Sequence, residues 1–275
     1  MVRAASVVVI VALALAGVRV RAEEFAYPLA VAAASDATVY VADRMLPGIW
    51  RIKDGQTSVF ARGEKTFRTP LNAIRGVAVA ADGTVYAADP ATREVYRITA
   101  DGQPTPLTSG GIGIPVDIAV DAGGDLFVSD LETQTVWRVP AAGGEPKAVA
   151  VLDAPRGLFV DGDNRLWAVA ASAESPLVRI AADGTVEPVV KTRAFEFPHD
   201  VVVAADGTAY VSDNYARTVW KVTADGMVAQ WVADGTVTGP VGLAAGPGGS
   251  VLVADPQARA VFSVGPDAAA TRLAP

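Results

Sequence analysis

The sequence predicts an all-β fold, a six-bladed β-propeller of four-stranded antiparallel blades, on three observations. One pattern recurs six times, its copies stand about forty residues apart, and turn chemistry cuts each copy into runs too short for helices. Stacked, the copies read PLAVAAASDATVYVAD (Pro28–Asp43), IRGVAVAADGTVYAAD (Ile74–Asp89), PVDIAVDAGGDLFVSD (Pro115–Asp130), PRGLFVDGDNRLWAVA (Pro155–Ala170), PHDVVVAADGTAYVSD (Pro198–Asp213) and PVGLAAGPGGSVLVAD (Pro240–Asp255). Their last positions, Asp43, Asp89, Asp130, Ala170, Asp213 and Asp255, are spaced by 46, 41, 40, 43 and 42 residues. A period of this length with four strands per unit marks a propeller rather than a helical solenoid.

The fifth copy shows why each element forms. Val201–Ala204 is a β-branched run, Asp206-Gly207 turns the chain, and Thr208–Ser212 returns. Asp213–Arg217 makes a polar loop before Thr218–Val222. Short runs of Val, Tyr and Trp punctuated by Asp-Gly read as antiparallel strands joined by hairpins. Third strands follow at Ile49–Ile52, Val95–Ile98, Val136–Val139, Leu177–Ile180, Val219–Val222 and Val261–Val264. A weaker outer strand comes after Asp54-Gly55, Asp101-Gly102, Gly143-Gly144, Asp183-Gly184 or Asp225-Gly226. One such sheet cannot cover both its faces, whereas six arranged radially bury each face on a neighbour. Glu23–Tyr27 is too short for a unit and is either a closing strand or a leader. Thr271–Ala274 already supplies an outer strand for the last blade, so closure without strand exchange is expected.

The pattern P-x-[GD]-[VIL]-A-V, then D-G-x-[VL]-Y-V-[AS]-D, then V-[WYF]-[RK]-[IV], resembles NHL-type repeats of six-bladed propellers. The resemblance covers the chain from residue 23 to residue 275. Gluconolactonase-like hydrolases and peptidyl-hydroxyglycine amidating lyases share the architecture, so fold alone gives only an analogy about function.

Residues 1–22 read as a signal peptide. Arg3 gives a positive start, Ala4–Val18 is an apolar run, and Val20-Arg21-Ala22 suits small-residue cleavage before Glu23. Fifteen residues are short for a membrane span, which needs about twenty; an uncleaved anchor is the alternative. The chain has 275 residues and no cysteine, so a periplasmic or secreted propeller without disulfides is expected. Formal net charge is −7, from 23 basic and 30 acidic side chains. Cleavage would remove Arg3, Arg19 and Arg21 and bring it near −10. That balance excludes a basic footprint for nucleic acid or anionic membrane. After cleavage no membrane insertion is expected, and the propeller reads as a monomer.

In this fold the first strand of each unit lines the central tunnel, and its starting end opens at one face. The residue after the repeat Pro therefore points at the mouth, in the column Leu29, Arg75, Val116, Arg156, His199 and Val241. The next column is Ala30, Gly76, Asp117, Gly157, Asp200 and Gly242. In gluconolactonase-like hydrolases the resemblance implies a divalent cation held by carboxylates and an Asn in the first column. Here that column has neither and carries two Arg. Amidating lyases place His there on several blades to bind zinc, and Phe197–Asp213 is similar to one such blade, which puts His199 on a zinc-ligand position. His199 is the only histidine, and a catalytic zinc needs about three protein ligands. No metal, no other cofactor and no catalytic constellation is expected: there is no Cys, no G-x-S-x-G elbow and no Gly-rich loop before a helix.

The repeated Asp of the second strand (Asp43, Asp89, Asp130, Asp213, Asp255) reads as scaffold, and Trp50, Tyr96, Trp137, Trp220 and Phe262 as interblade core. Asp117 and Asp200 read either as caps of backbone amides near strand starts or as part of a site. Two longer basic connections, Arg62–Arg68 and Lys191–Phe197, are expected to cross the mouth and add to Arg75, Arg156 and His199. Local charge opposite to the protein's own captures oppositely charged ligands, and the Arg fork suits carboxylate or phosphate. Asn214 and Tyr215 add hydrogen bonds and a wall. The ligand-binding set is thus Arg75, Arg156, His199, Asp117, Asp200, Asn214 and Tyr215. The reading is a small anionic or carbohydrate ligand, or a protein partner, captured at the mouth, and it leans away from an enzyme. The alternative is a divergent hydrolase or lyase of the same propeller group, with His199 as base and Asp117 or Asp200 as its orienting or metal-binding group. A third is an interaction scaffold using the outer rim.

Overall fold

The computed structural model describes residues 24–46, 48–232 and 235–274; the expected signal peptide, residues 1–22, lies outside them. Among the described residues, 24 strands form six four-stranded antiparallel sheets, each built from four consecutive strands. Among these residues the one helical element is a 3₁₀ turn, Pro247–Gly249, in the first hairpin of blade 6. The fold is a six-bladed β-propeller.

Turn residues set the hairpins. Gly207 has φ of 84°, a left-handed conformation that costs glycine nothing, and Asp206 Oδ1 accepts the Thr208 N–H at 2.9 Å. Where Asp-Gly is missing, Ala37 and Asn164 take the same conformation, with φ of 63° and 60°.

The scaffold Asp is a clasp. Asp213 is fully buried and accepts the N–H groups of Glu196 at 2.7 Å, Phe197 at 3.0 Å and Ala216 at 3.1 Å. It thereby ties the segment arriving from blade 4 to the loop leaving the second strand. Asp43, Asp89, Asp130 and Asp255 do the same in their blades. The third-strand Trp completes it: the Nε1–H groups of Trp50, Trp137 and Trp220 donate to Asp43, Asp130 and Asp213. Blade 4 lacks the clasp, with Ala170 in place of Asp and Val178 in place of Trp. Its loop from second to third strand, residues 170–176, is seven residues long where each other blade uses four.

A separate apolar cluster fills each interface between neighbouring blades. Closure involves no strand exchange: blade 6 is the sheet of strands Gly242–Ala245, Val251–Asp255, Ala260–Val264 and Ala270–Ala274. The short segment before blade 1 is neither a strand nor a loose leader. Phe25 is fully buried between blades 6 and 1 with Val261 and Leu252, and meets Trp50 edge-on at 5.5 Å. Its carbonyl accepts the Arg259 Nε–H at 3.3 Å. A side-chain plug joins the ends of the ring.

Inner strands alternate around the tunnel. In blades 1, 3 and 5 they run Pro28–Ala33, Pro115–Val120 and Pro198–Val203; in blades 2, 4 and 6 they begin later, at Gly76, Leu158 and Gly242. The reason is contact across blades at the mouth. A Cβ on Gly157 would lie 2.3 Å from the Asp200 Cα, and one on Gly76 2.9 Å from the Asp117 Cα. Even blades carry glycine because odd blades press their backbone there.

Candidate functional site

One cavity, of about 40 Å³, opens at the mouth. Its wall includes all six residues of the first column, Leu29, Arg75, Val116, Arg156, His199 and Val241, with Asp117 and Asp200 at its floor. Below those carboxyls the tunnel continues as an apolar channel of about 180 Å³ lined by Ala, Val and Leu of the inner strands. Asp117 and Asp200 border both spaces and form the neck between them.

The two carboxyls also clamp blades together. Asp117 Oδ2 accepts the Leu158 N–H of blade 4 at 2.8 Å; Asp200 Oδ2 accepts the Leu243 N–H of blade 6 at 2.6 Å and its Oδ1 the Val201 N–H at 2.7 Å. A serine assists each. Ser129 Oγ donates to the Arg156 carbonyl and Ser212 Oγ to the Val241 carbonyl, both at 2.6 Å. Blades 3 and 5 thus each reach forward with a carboxyl and a hydroxyl to hold the next inner strand. The capping reading of Asp117 and Asp200 describes this geometry, with the caps running between blades.

Charge at the mouth is unbalanced. No hydrogen bond or ion pair within the described residues joins the guanidinium of Arg75 or Arg156. Burial, aided for Arg75 by Arg44 and for Arg156 by Arg75, lowers the proton affinity of both, yet an arginine stays charged at neutral pH. The carboxyls beneath do not offset them fully: burial pushes Asp117 up to about 7, and burial with the nearby Asp117 pushes Asp200 well above the usual carboxylate range. Burial and then the charges of Arg156 and Arg75 push His199 down to about 4. The mouth therefore offers two cations, one neutral imidazole and two acids whose ionisation burial opposes.

Phe197 organises the side facing blade 4. The Arg156 guanidinium lies over its ring at 4.1 Å, His199 meets it edge-on at 5.0 Å, and Tyr215 stacks on it at 4.7 Å and 18°. The stacking fixes Arg156 in direction without neutralising it.

The sequence profile of the virginiamycin B lyase family matches residues 63–273. The chain belongs to the virginiamycin B lyase family. Among solved structures it is similar to virginiamycin B lyase from Staphylococcus aureus, at 16% identity over 90% of this chain and 84% of that one, with a TM-score of 0.69. It is also similar to a gluconolactonase from Xanthomonas campestris, at 17% identity over 87% and 86% of the two chains and a TM-score of 0.72. A chain of a nidogen–laminin complex matches at 17% identity, over 84% and 91%, with a TM-score of 0.71. Identities this low carry the fold alone, and the three names span two enzymes and a protein assembly. No curated protein sequence matches the chain.

Within this virginiamycin B lyase family propeller the predicted site residues separate. Arg75, Arg156, His199, Asp117 and Asp200 share the cavity. Asn214 and Tyr215 do not line it: Asn214 Nδ2 donates to the Gly239 carbonyl at 3.2 Å, and Tyr215, 66% exposed, backs Phe197 from outside. His199 is no third cation, because burial among arginines keeps it neutral. No hydrogen bond joins its ring to Asp117 or Asp200, so the expected base with an orienting carboxylate is not assembled. The connection Arg62–Arg68 contributes no cavity residue; its Arg68 covers Phe67, which is 84% exposed. Arg44, close enough to act on Arg75, and Leu131, on the cavity wall, both come from second-strand loops that the column reading passes over. Among the described residues no three His, Cys, Asp or Glu side chains gather as a metal cluster would.

Proposed function

We propose that this chain is an exported propeller that captures a small organic anion at the tunnel mouth. Arg75 and Arg156 grip the anionic group, and neutral His199 adds a hydrogen bond. The observation that carries this is the pair of half-buried guanidiniums aimed into one cavity with no bonded carboxylate, above two acids that burial biases towards neutrality. Two such cations repel each other and lack much of their water, so an entering anion relieves both costs. The cavity volume favours the anionic member of the two expected ligand classes. It has room for about three waters, which suits a carboxylate head and not a sugar ring. Export rests on the positive start and apolar run of residues 1–22, and N-terminal sequencing of secreted protein tests it. The likeness of the repeats to NHL-type units belongs to this reading as well.

Titration calorimetry with acetate, inorganic phosphate and glucose tests the ligand class. Anions should bind with an affinity that falls as salt rises, because screening weakens exposed charge attraction, and glucose should give no heat. Glucose binding without anion binding would overturn the proposal.

A second reading is supported by membership of a family named for a lyase. His199 would then act as the general base, since an imidazole of pKa about 4 is already neutral at pH 7. Its signature is turnover that rises through pH 4, not 6.5, and disappears in His199→Gln.

A further inference from the structure

The mouth cavity is too small to hold more than the head of a ligand. The rest of any bound molecule has to leave it, and one side of the mouth is open. Between blades 4 and 5 a groove of about 290 Å³ runs from Arg156, which also lines the mouth cavity, to Arg193. Its apolar wall is Ala170, Ala171, Pro176, Phe195 and Phe197, and Ser172, Arg193 and Glu196 give it a polar edge. Arg156 is the hinge between the two spaces, lying over the Phe197 ring at 4.1 Å.

This groove lies where the repeat is broken. The other five blades place the scaffold Asp at the position of Ala170, and that carboxylate ties down the preceding connection. Blade 4 puts a methyl group there, at the start of the seven-residue loop 170–176. Ala170, the loop residues Ala171, Ser172 and Ala173, and Pro176 all line the groove. The blade that gave up the clasp is the one carrying an open groove next to an unpaired guanidinium.

We infer that the groove is the second half of the binding site and takes the apolar body of an amphipathic organic anion, an aryl- or alkyl-carboxylate whose head sits between Arg75 and Arg156. The inference rests on reading the mouth as an anion site. Charge selects the head, and the aromatic and aliphatic wall selects the body. A ligand built this way covers Phe197 and keeps the stacked Arg156 in contact with both parts. A few convergent polar groups beside a largely apolar cleft is the general form of a small-molecule site.

The experiment compares acetate, 3-phenylpropanoate and neutral 3-phenylpropanamide by titration calorimetry, on the unmodified protein and on Ala171→Trp and Ala173→Trp. Both positions are exposed, so either variant fills the groove without entering the core. 3-Phenylpropanoate should bind at least tenfold more tightly than acetate. Each Trp variant should remove that gain and leave acetate unchanged, and the amide should bind at least tenfold more weakly than the acid. Equal affinities for acetate and 3-phenylpropanoate would overturn the inference and leave the mouth site standing. So would a gain that survives both Trp variants, because the body would then lie elsewhere. If neither acid binds, the mouth reading falls and takes this inference with it.

Discussion

Blades 4 and 5 stand side by side at the mouth and derive from one repeat, but only blade 5 keeps it whole. Blade 5 spends Asp213 on three backbone N–H groups and on Trp220, and Asn214 of its mouth loop bonds the Gly239 carbonyl. Blade 4 has Ala170 and Val178 in those places, and its face is open. Its one Trp has moved to the second strand, where Trp167 Nε1–H donates to Asp161 at 2.8 Å, on the turn at the opposite end of the blade. The difference teaches that the clasp holds a blade together and fills its mouth face at once. A blade can lose the clasp where its neighbours supply enough packing, and the vacated space becomes available to a ligand.

The largest effect should come from breaking blade 5 into the likeness of blade 4. Asp213→Ala leaves several buried N–H donors unpaired, each worth about 1–3 kcal/mol, so chemical denaturation should show a loss of about 3–5 kcal/mol. Ala170→Asp, the converse change, should cost far less. A loss below about 1 kcal/mol for Asp213→Ala would erase the contrast between the blades.

Protonation sharpens it at the mouth. His199 has its folded pKa pushed down to about 4 from 6.5, so its contribution to stability is complete above pH 6.5 and is lost as pH falls from 6.5 to 4. The span corresponds to about 3 kcal/mol. Asp117 runs the other way: raised from 3.8 to about 7, it favours the fold most below pH 4 and loses that advantage as pH rises towards 7. Asp200, raised by burial and by Asp117, acts in the same direction as Asp117, so the two acids together outweigh the imidazole and the unmodified protein should lose stability as pH rises from 4 to 7. His199→Gln should then become more stable relative to it as pH falls, by denaturant midpoint. Ionisation of Asp117 near pH 7 also places an anion beneath Arg75. Anion affinity should therefore fall several-fold from pH 6 to 8, and Asp117→Asn, which keeps an acceptor for the Leu158 N–H, should flatten that dependence. Tyr27, Arg44, Arg156, His199 and Asp200 are the other titratable or charged groups facing this pair, and of these Asp200 is the carboxyl that can add to the slope.

The smallest effect belongs to Trp220→Phe, which removes one hydrogen bond to Asp213 at 3.2 Å and keeps most of the ring. It should cost about 1 kcal/mol in the same denaturation assay. A loss as large as that of Asp213→Ala would mean the Trp, not the carboxylate, is the centre of the clasp.

Much of this was legible in the sequence because a repeat reports its own geometry. Six copies with short turns of Asp, Asn and Gly specify strands, blades and ring, and the column that opens the first strand brings Arg75, Arg156 and His199 to one cavity. What was hidden depends on contacts across blades. Gly76, Gly157, Asp117 and Asp200 are visible as letters, but only the ring shows that odd blades press on even ones and lend them a carboxyl and a hydroxyl. The charge state of His199 depends on burial between two arginines from other blades. Asn214 and Tyr215 looked like site residues because they sit on a mouth loop; one turns to a neighbouring carbonyl and the other to Phe197. The opening in blade 4 did leave a signal, the single Ala in the Asp column followed by a longer loop.

The most direct measurement is anion titration of the unmodified protein against Arg75→Ala, Arg156→Ala and the double variant, with folding checked by circular dichroism. Each guanidinium contributes charge-assisted hydrogen bonds worth about 1.5–3 kcal/mol, so each single variant should lose about tenfold or more in acetate affinity and the double variant all measurable binding, with an unchanged spectrum. Undiminished acetate binding by the folded double variant would contradict the account.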